Sequence, residues 1–222
     1  MDFHPPAAED LANVRSLNSA FLRIVRDSIS GKKLQQSLPE DLRGIVASLN
    51  DVQLERLSES PFLLLSFREH DSTFWNVLDE DNLMRDLFVI ERAADEKERL
   101  IMAGLGFLWQ LAKRNAYAAR LVTGAPLAWC ERIADTTLIR LLQAVANRDE
   151  MPGLRFAGQR KYWEKLLGAG LDSAPAVRAA AQMTVLQTML TAETGLAYRS
   201  HRAAACPRPV SVRRRHGLPG SG

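Results

Sequence analysis

Residues 37–71 read SLPEDLRGIVASLNDVQLERLSESPFLLLSFREHD, two helix starts in succession leading into an apolar block. Ser37-Leu38-Pro39-Glu40 has the order of a capping box: a hydroxyl that accepts from first-turn N–H groups, a proline where no donor is needed, and a glutamate that reaches back. Leu38, Leu42, Ile45, Val46 and Leu49 then recur at helical spacing and predict one apolar face. Asn50-Asp51-Val52-Gln53 repeats the start signal with Leu54 and Leu57 behind it. Ser60-Pro61 predicts the stop, because a residue before proline avoids the α region. Phe62-Leu63-Leu64-Leu65-Ser66-Phe67 leaves this helix pair as a strand or a turn.

Upstream, Leu11, Val14, Phe21, Leu22, Val25 and Ile29 fall near a period of 3.6 and predict an amphipathic helix over 9–30, ended by Gly31. Its apolar side needs a partner, either the helix pair of residues 37–60 or the same helix of a second subunit. Leu17, Phe21 and Val25 are the candidate self-association residues. Downstream, Phe74, Trp75, Val77 and Leu78 predict a short helix or an exposed aromatic corner, with the adjacent His70 and Asp71 read as unrelated to catalysis. Asp79-Glu80-Asp81 reads as a helix start before Leu83, Leu87, Phe88 and Ile90, and Asp95-Glu96-Lys97-Glu98 as a cap before Leu100, Ile101, Leu105, Leu108 and Leu111. Gly104 and Gly106 lack the spacing of a dinucleotide fingerprint and instead mark close helix approach.

Residues 126–147 admit two readings. Leu127, Cys130, Ala134, Leu138, Leu141 and Val145 form one unbroken stripe, which favours a single core helix after Pro126. The other reading places a turn at Asp135-Thr136-Thr137 and makes the segment a helix-turn-helix whose second helix exposes Arg140 and Arg148 to nucleic acid. After Met151-Pro152-Gly153, the cations Arg155, Arg160 and Lys161 interleave with Phe156, Tyr162 and Trp163. That pattern suits either a nucleic-acid platform or a peripheral helix anchored by Tyr162, Trp163, Leu166 and Leu167 and ended by Gly168 or Gly170. A last helix begins at Ser173-Ala174-Pro175 and carries Val177, Ala181, Leu186, Met189 and Leu190. The sequence thus predicts an all-α, bundle-like protein of about eight helices: an N-terminal helical unit over 1–78, a C-terminal one over 79–194 that can pack with it as one domain, and a flexible basic tail over 195–222.

The 222 residues, 46% hydrophobic, are enough to bury a substantial core. No run of 18 uncharged apolar residues occurs and Met1-Asp2-Phe3-His4-Pro5 lacks a signal-peptide pattern, so the expectation is a cytoplasmic protein without membrane contact. Cys130 and Cys206 are too few and too far apart for a disulfide framework or a thiolate zinc site, and the chain is expected to hold no metal or cofactor. The net charge of +3 conceals an asymmetry. Six of the 29 lysines and arginines lie in residues 199–222, which have no acid, leaving 23 against 26 acidic residues in the body. Arg213, Arg214 and Arg215 head that tail as candidate phosphate contacts with steep salt dependence, against the alternative of a solvated tail rich in proline and glycine.

From Leu17 to Asp71, about a quarter of the chain, the pattern resembles the bacterial flagellar transcriptional regulator FlhD, the partner of FlhC. The residues that carry the resemblance are the apolar N-terminal helix, the Leu38-Pro39-Glu40-Asp41-Leu42 start, then Leu49, Gln53, Leu57, Glu59 and Leu63, and Phe67-Arg68 followed by Asp71. Three positions depart from it: Pro61 replaces a polar residue, Glu69 replaces a second phenylalanine, and Leu65 stands where members carry a cysteine that bridges subunits. The resemblance implies a transcriptional role and a dimer without that bridge. With no local grouping of nucleophile, base and orienting residue, the expected function is a non-enzymatic transcriptional regulator or regulatory subunit. It would act through helical protein contacts with a protein partner or a second copy, and contact DNA. The alternative is a helical adaptor or chaperone-like protein that touches no DNA. Neither reading calls for a small-molecule substrate.

Overall fold

The computed structural model describes residues 4–27, 34–79, 95–146 and 151–204, with side chains to residue 191. Helices α1 (Ala8–Asp27), α2 (Glu40–Ala47) and α3 (Asp51–Ser58) lead into an extended segment that contains strand β1 (Leu65–Ser66). There follow α4 (Ser72–Trp75) with a 3-10 turn at Asn76–Asp79, then α5 (Glu96–Arg114), α6 (Ala116–Thr123), α7 (Leu127–Asp135) and α8 (Leu138–Val145). Strand β2 (Gly153–Leu154), α9 (Arg160–Leu167), a 3-10 turn at Ala169–Leu171 and α10 (Pro175–Ala204) complete the described chain. The protein is all-α, and the two short strands pair antiparallel with Leu65 opposite Leu154 and Ser66 opposite Gly153.

The helix starts are set by local chemistry, though not everywhere by the residues that the pattern favours. Asn50 and Gln53 form a reciprocal capping box, Gln53 N donating to Asn50 Oδ1 at 2.9 Å and Asn50 N to Gln53 Oε1 at 3.0 Å. Asp95 and Glu98 do the same for α5. At Ser37 the expected box does not form. Its hydroxyl donates to the Leu34 carbonyl at 2.6 Å, and α2 starts from Pro39 with no side-chain cap. The predicted helix around Leu83 to Ile90 and the end at Gly31 lie outside the described residues; of the tail expected to be flexible over 195–222, residues up to Ala204 instead continue the last helix, and the rest lies outside the described residues.

Of the two readings of residues 126–147, the favoured single helix is corrected: the chain breaks at Thr136-Thr137, inside the turn of the other reading, and the hydrogen bonds explain the break. In a continuous helix the Thr136 carbonyl would accept from Arg140 N. Here Trp109 Nε1 takes that carbonyl at 2.7 Å, while Arg140 N donates to Thr137 Oγ1 and Thr136 Oγ1 donates to the Arg132 carbonyl. Two adjacent β-branched hydroxyl residues thus end one helix and cap the next. The apolar stripe continues across the break because Cys130, Ile133, Leu141 and Ala144 enter the same core.

That core is continuous from Val14 to Met189 and draws on residues on both sides of position 78. Phe67 packs so closely on α5 that a Cβ added at Gly104 would lie 2.5 Å from its ring. Gly104 therefore marks a close approach, as its place in a packed helix predicts, whereas a Cβ at Gly106 would meet nothing within 4 Å.

Candidate functional site

Residues 62–67 are the least helical part of the interior: Phe62, Leu63, Leu64, Leu65 and Phe67 are all fully buried. An extended backbone at such depth has donors and acceptors that no helix satisfies, and each left bare costs about 1–3 kcal/mol. Two side chains meet most of them. Asn18, fully buried in α1, donates to the Phe62 carbonyl at 2.9 Å and accepts from Leu64 N at 2.8 Å. Arg155, 5% exposed, donates through Nε to the Leu63 carbonyl, through Nη1 to the Thr123 carbonyl and through Nη2 to the Leu65 carbonyl at 2.8 Å, while its backbone N reaches the Leu64 carbonyl at 2.9 Å. Leu63 N completes the set by donating to the Val122 carbonyl at 2.8 Å.

Glu69 neutralises this arginine. It is 2% exposed, with Oε1 accepting from Arg155 Nη2 at 2.6 Å and Oε2 from Ser66 Oγ at 2.6 Å. Burial by itself would push the Glu69 carboxyl up; the Arg155 guanidinium, the Ser66 hydroxyl and a backbone N–H outweigh it and hold the group below its ordinary value. Both carboxylate oxygens are engaged, so the pair is a closed structural clamp. Next to it, Asp71 caps α4, and the Thr73 hydroxyl, Phe74 N–H and Arg68 lower its carboxyl to about 2. Arg68 (φ 58°) and Phe156 (φ 57°) sit in the left-handed region on the two strand exits, a conformation that disfavours residues with a Cβ.

An open cleft of about 350 Å³ lies over the clamp. Leu154 of β2, Phe156 of the β2–α9 connection, Tyr162 of α9 and Met189 of α10 line it, with the exposed His70 and Gln159 also bordering it. Phe156 and Tyr162 stack, with ring centroids 4.4 Å apart and 22° between planes.

The residues singled out by sequence do not converge on a surface. Leu17, Phe21 and Val25 are buried within the chain's own core, so the expected self-association face of α1 is corrected: these side chains are already covered by the same polypeptide. Arg155 is likewise corrected from a nucleic-acid contact to an internal clamp. Arg160 pairs with Asp41 at 2.8 Å and Glu164 at 2.6 Å, and the exposed Lys161 lies 4.9 Å over the Tyr162 ring. Arg140 is half-buried at the start of α8, whose only other polar side chain is Gln143. Arg148, Arg213, Arg214 and Arg215 lie outside the described residues. Tyr162 and Trp163 anchor α9 from inside, which stops at Gly168, and Cys130 is a buried member of the apolar core.

Sequence reasoning passed over Asn18 and noted Glu69 only as a departure from a pattern, without its role. Asn18 stands four residues after Val14 and four before Leu22, a polar side chain inside the apolar stripe of α1, and that position was its signal. Comparison with known proteins adds no further assignment: no protein-family model, no curated protein and no solved structure matches the chain.

Proposed function

We propose that the protein is a non-enzymatic regulator, or a regulatory subunit, that acts through helical protein–protein contacts, with FlhD-like transcriptional control as its setting. One observation carries the reading: the α2–α3 corner, inside the stretch that resembles FlhD, leaves two large aliphatic side chains in water. Ile45 is 42% exposed and Val52 60%, on either side of the connection at residues 48–50. Fully burying a side chain of this size against a partner is worth about 1.5–3 kcal/mol. Ile45 belongs to the apolar face that the sequence assigns to the interior, and its exposure is what relocates the contact surface from α1 to this corner.

The second reading, an adaptor without DNA contact, is favoured by the composition of α8. A helix that reads bases presents three or four side chains to base edges, and α8 offers Arg140 and Gln143. With Arg155 internal, any DNA contact of this protein would fall to Arg140, Arg148, Arg160 or Lys161, to the C-terminal arginines, or to a partner. The cytoplasmic setting belongs to the same proposal; no helix among the described residues is long and apolar enough to cross a membrane.

Two measurements test these readings. Light scattering of the Ile45→Glu, Val52→Glu double variant should show assembly mass falling toward the 24.7 kDa of one chain; an unmodified protein that already runs at that mass removes self-association. Fluorescence anisotropy with duplex DNA at two salt concentrations should show salt-dependent binding that Arg213, Arg214 and Arg215→Ala together abolish. No binding by the full chain at low salt removes direct DNA contact by this chain.

A further inference from the structure

We infer that the outward face of α5 receives a second copy of this chain, the two helices lying antiparallel about a two-fold axis between Ala103 and Gly106; this contact is separate from the α2–α3 corner proposed above. Gly106 stands near the middle of the 19-residue helix, where glycine is among the poorest helix formers. Gly104 has a return inside the chain, the close packing of Phe67, but a Cβ at Gly106 would meet nothing within 4 Å. Around it on the same face lie Met102, 50% exposed, and the exposed Ala103 and Gln110. No charged residue occurs from Leu100 to Ala112. The water-facing side of an amphipathic helix normally carries its charges, and this one is bare of them for about three turns. Gly44 of α2 shares the open space, and it adjoins Ile45 in the corner already assigned to protein contact.

Charge at the two ends of the face identifies the occupant. Glu96 in the first turn and Lys113 in the last are both exposed, and Lys113 Nζ is held 4.9 Å from the Trp109 ring centre. Glu96, Arg99, Ala103, Gly106, Gln110 and Lys113 recur at alternating steps of three and four, the spacing of a seam between two helices. Turned end for end, that seam complements itself. With Ala103 opposite Gly106 of the second copy, Glu96 meets its Lys113 and Arg99 its Gln110, each contact made twice by the two-fold symmetry. A parallel arrangement would set Glu96 against Glu96 and Lys113 against Lys113, with the two helix dipoles side by side in the same sense. The antiparallel one opposes the dipoles, and the small residues at its centre let the backbones approach to the short end of the roughly 8–10 Å range for packed helices.

The test is the mass of the full chain by light scattering over a concentration series. Gly106→Leu, Glu96→Lys and Lys113→Glu should each raise the dissociation constant of the pair about tenfold or more. Each should keep the parent's circular dichroism, because the space over Gly106 is open and the other two side chains are exposed. Glu96→Lys and Lys113→Glu combined in one chain should bring the affinity back to within about threefold of the parent. In a parallel pair neither single reversal would matter, since each swaps one like-charge contact for another. The Ile45→Glu, Val52→Glu variant should keep the α5 pair and run at twice the 24.7 kDa of one chain, which separates this contact from the corner. A fall of that variant to one chain leaves the corner as the self-contact and overturns the inference. A parent of single-chain mass at every concentration, a pair indifferent to Gly106→Leu, or single charge reversals without effect also overturn it.

Discussion

The chain leaves helical conformation in two instructive places, and what replaces the lost hydrogen bonds differs between them. At residues 62–69 the replacements come from far away: Asn18 is 46 residues from Leu64, and Arg155 is 86 from Glu69 and 92 from Leu63. At Thr136–Thr137 most come from within one turn, through the two threonine hydroxyls, with the Trp109 indole as the single distant donor. The first break is closed by tertiary structure and binds α1, α6, β1 and β2 together; the second is a local joint. Damage to the first should therefore be global and damage to the second confined.

The largest contrast should come from Arg155→Met, which leaves Glu69 charged and buried beside unmet carbonyls. A loss of about 3–5 kcal/mol in urea unfolding is expected, and a loss below about 1 kcal/mol would erase the distinction between the two breaks. Asn18→Leu should lose about 2–3 kcal/mol, since the Phe62 carbonyl and the Leu64 N–H are both orphaned. Acid sharpens the same comparison. The folded-state Glu69 carboxyl is depressed below 4.5, so its contribution is present above that pH and is lost as pH falls through the lowered folded value. A Glu69→Gln variant should accordingly show a flatter acid limb in thermal melts followed by circular dichroism, whereas Thr137→Ala should leave that limb as it is. Thr137→Ala itself should cost about 1 kcal/mol, the usual worth of an N-cap, with hydrogen exchange raised at the start of α8 and unchanged at Leu63 and Leu64. Smallest of all, Ile139→Ser, at a side chain 61% exposed, should stay within about 0.5 kcal/mol of the parent.

What could be read from the sequence is what short-range chemistry decides. The Asn50–Gln53 and Asp95–Glu98 boxes, the anchoring of α9 by Tyr162 and Trp163, and the stop at Gly168 each depend on residues within one or two turns. The turn at Thr136 was legible but ranked second, because α7 and α8 bury their stripes in one core, so the apolar period runs on across a joint whose decisive donor, Trp109, sits 27 residues away. Arg155 was misread for a related reason. A cation among Phe156, Tyr162 and Trp163 is the same string whether it meets phosphate or a buried carboxylate, and only the partner 86 residues upstream separates the two. Glu69 stood out as a departure from the FlhD pattern, and its neighbour in space supplies the physical reason for a carboxylate there.

The position of Arg155 late in the chain also bears on biosynthesis. When a ribosome has delivered everything through Ala146, helices α1 to α8 have been made, yet the group that covers the oxygens of Leu63, Leu64 and Leu65 has not. Until residue 155 emerges, water or a chaperone has to serve those oxygens, and the apolar block around them cannot close. The nascent protein therefore carries its oiliest segment unsealed while the next 88 residues, from 68 to 155, are made, and maturation of the interior waits on a single residue.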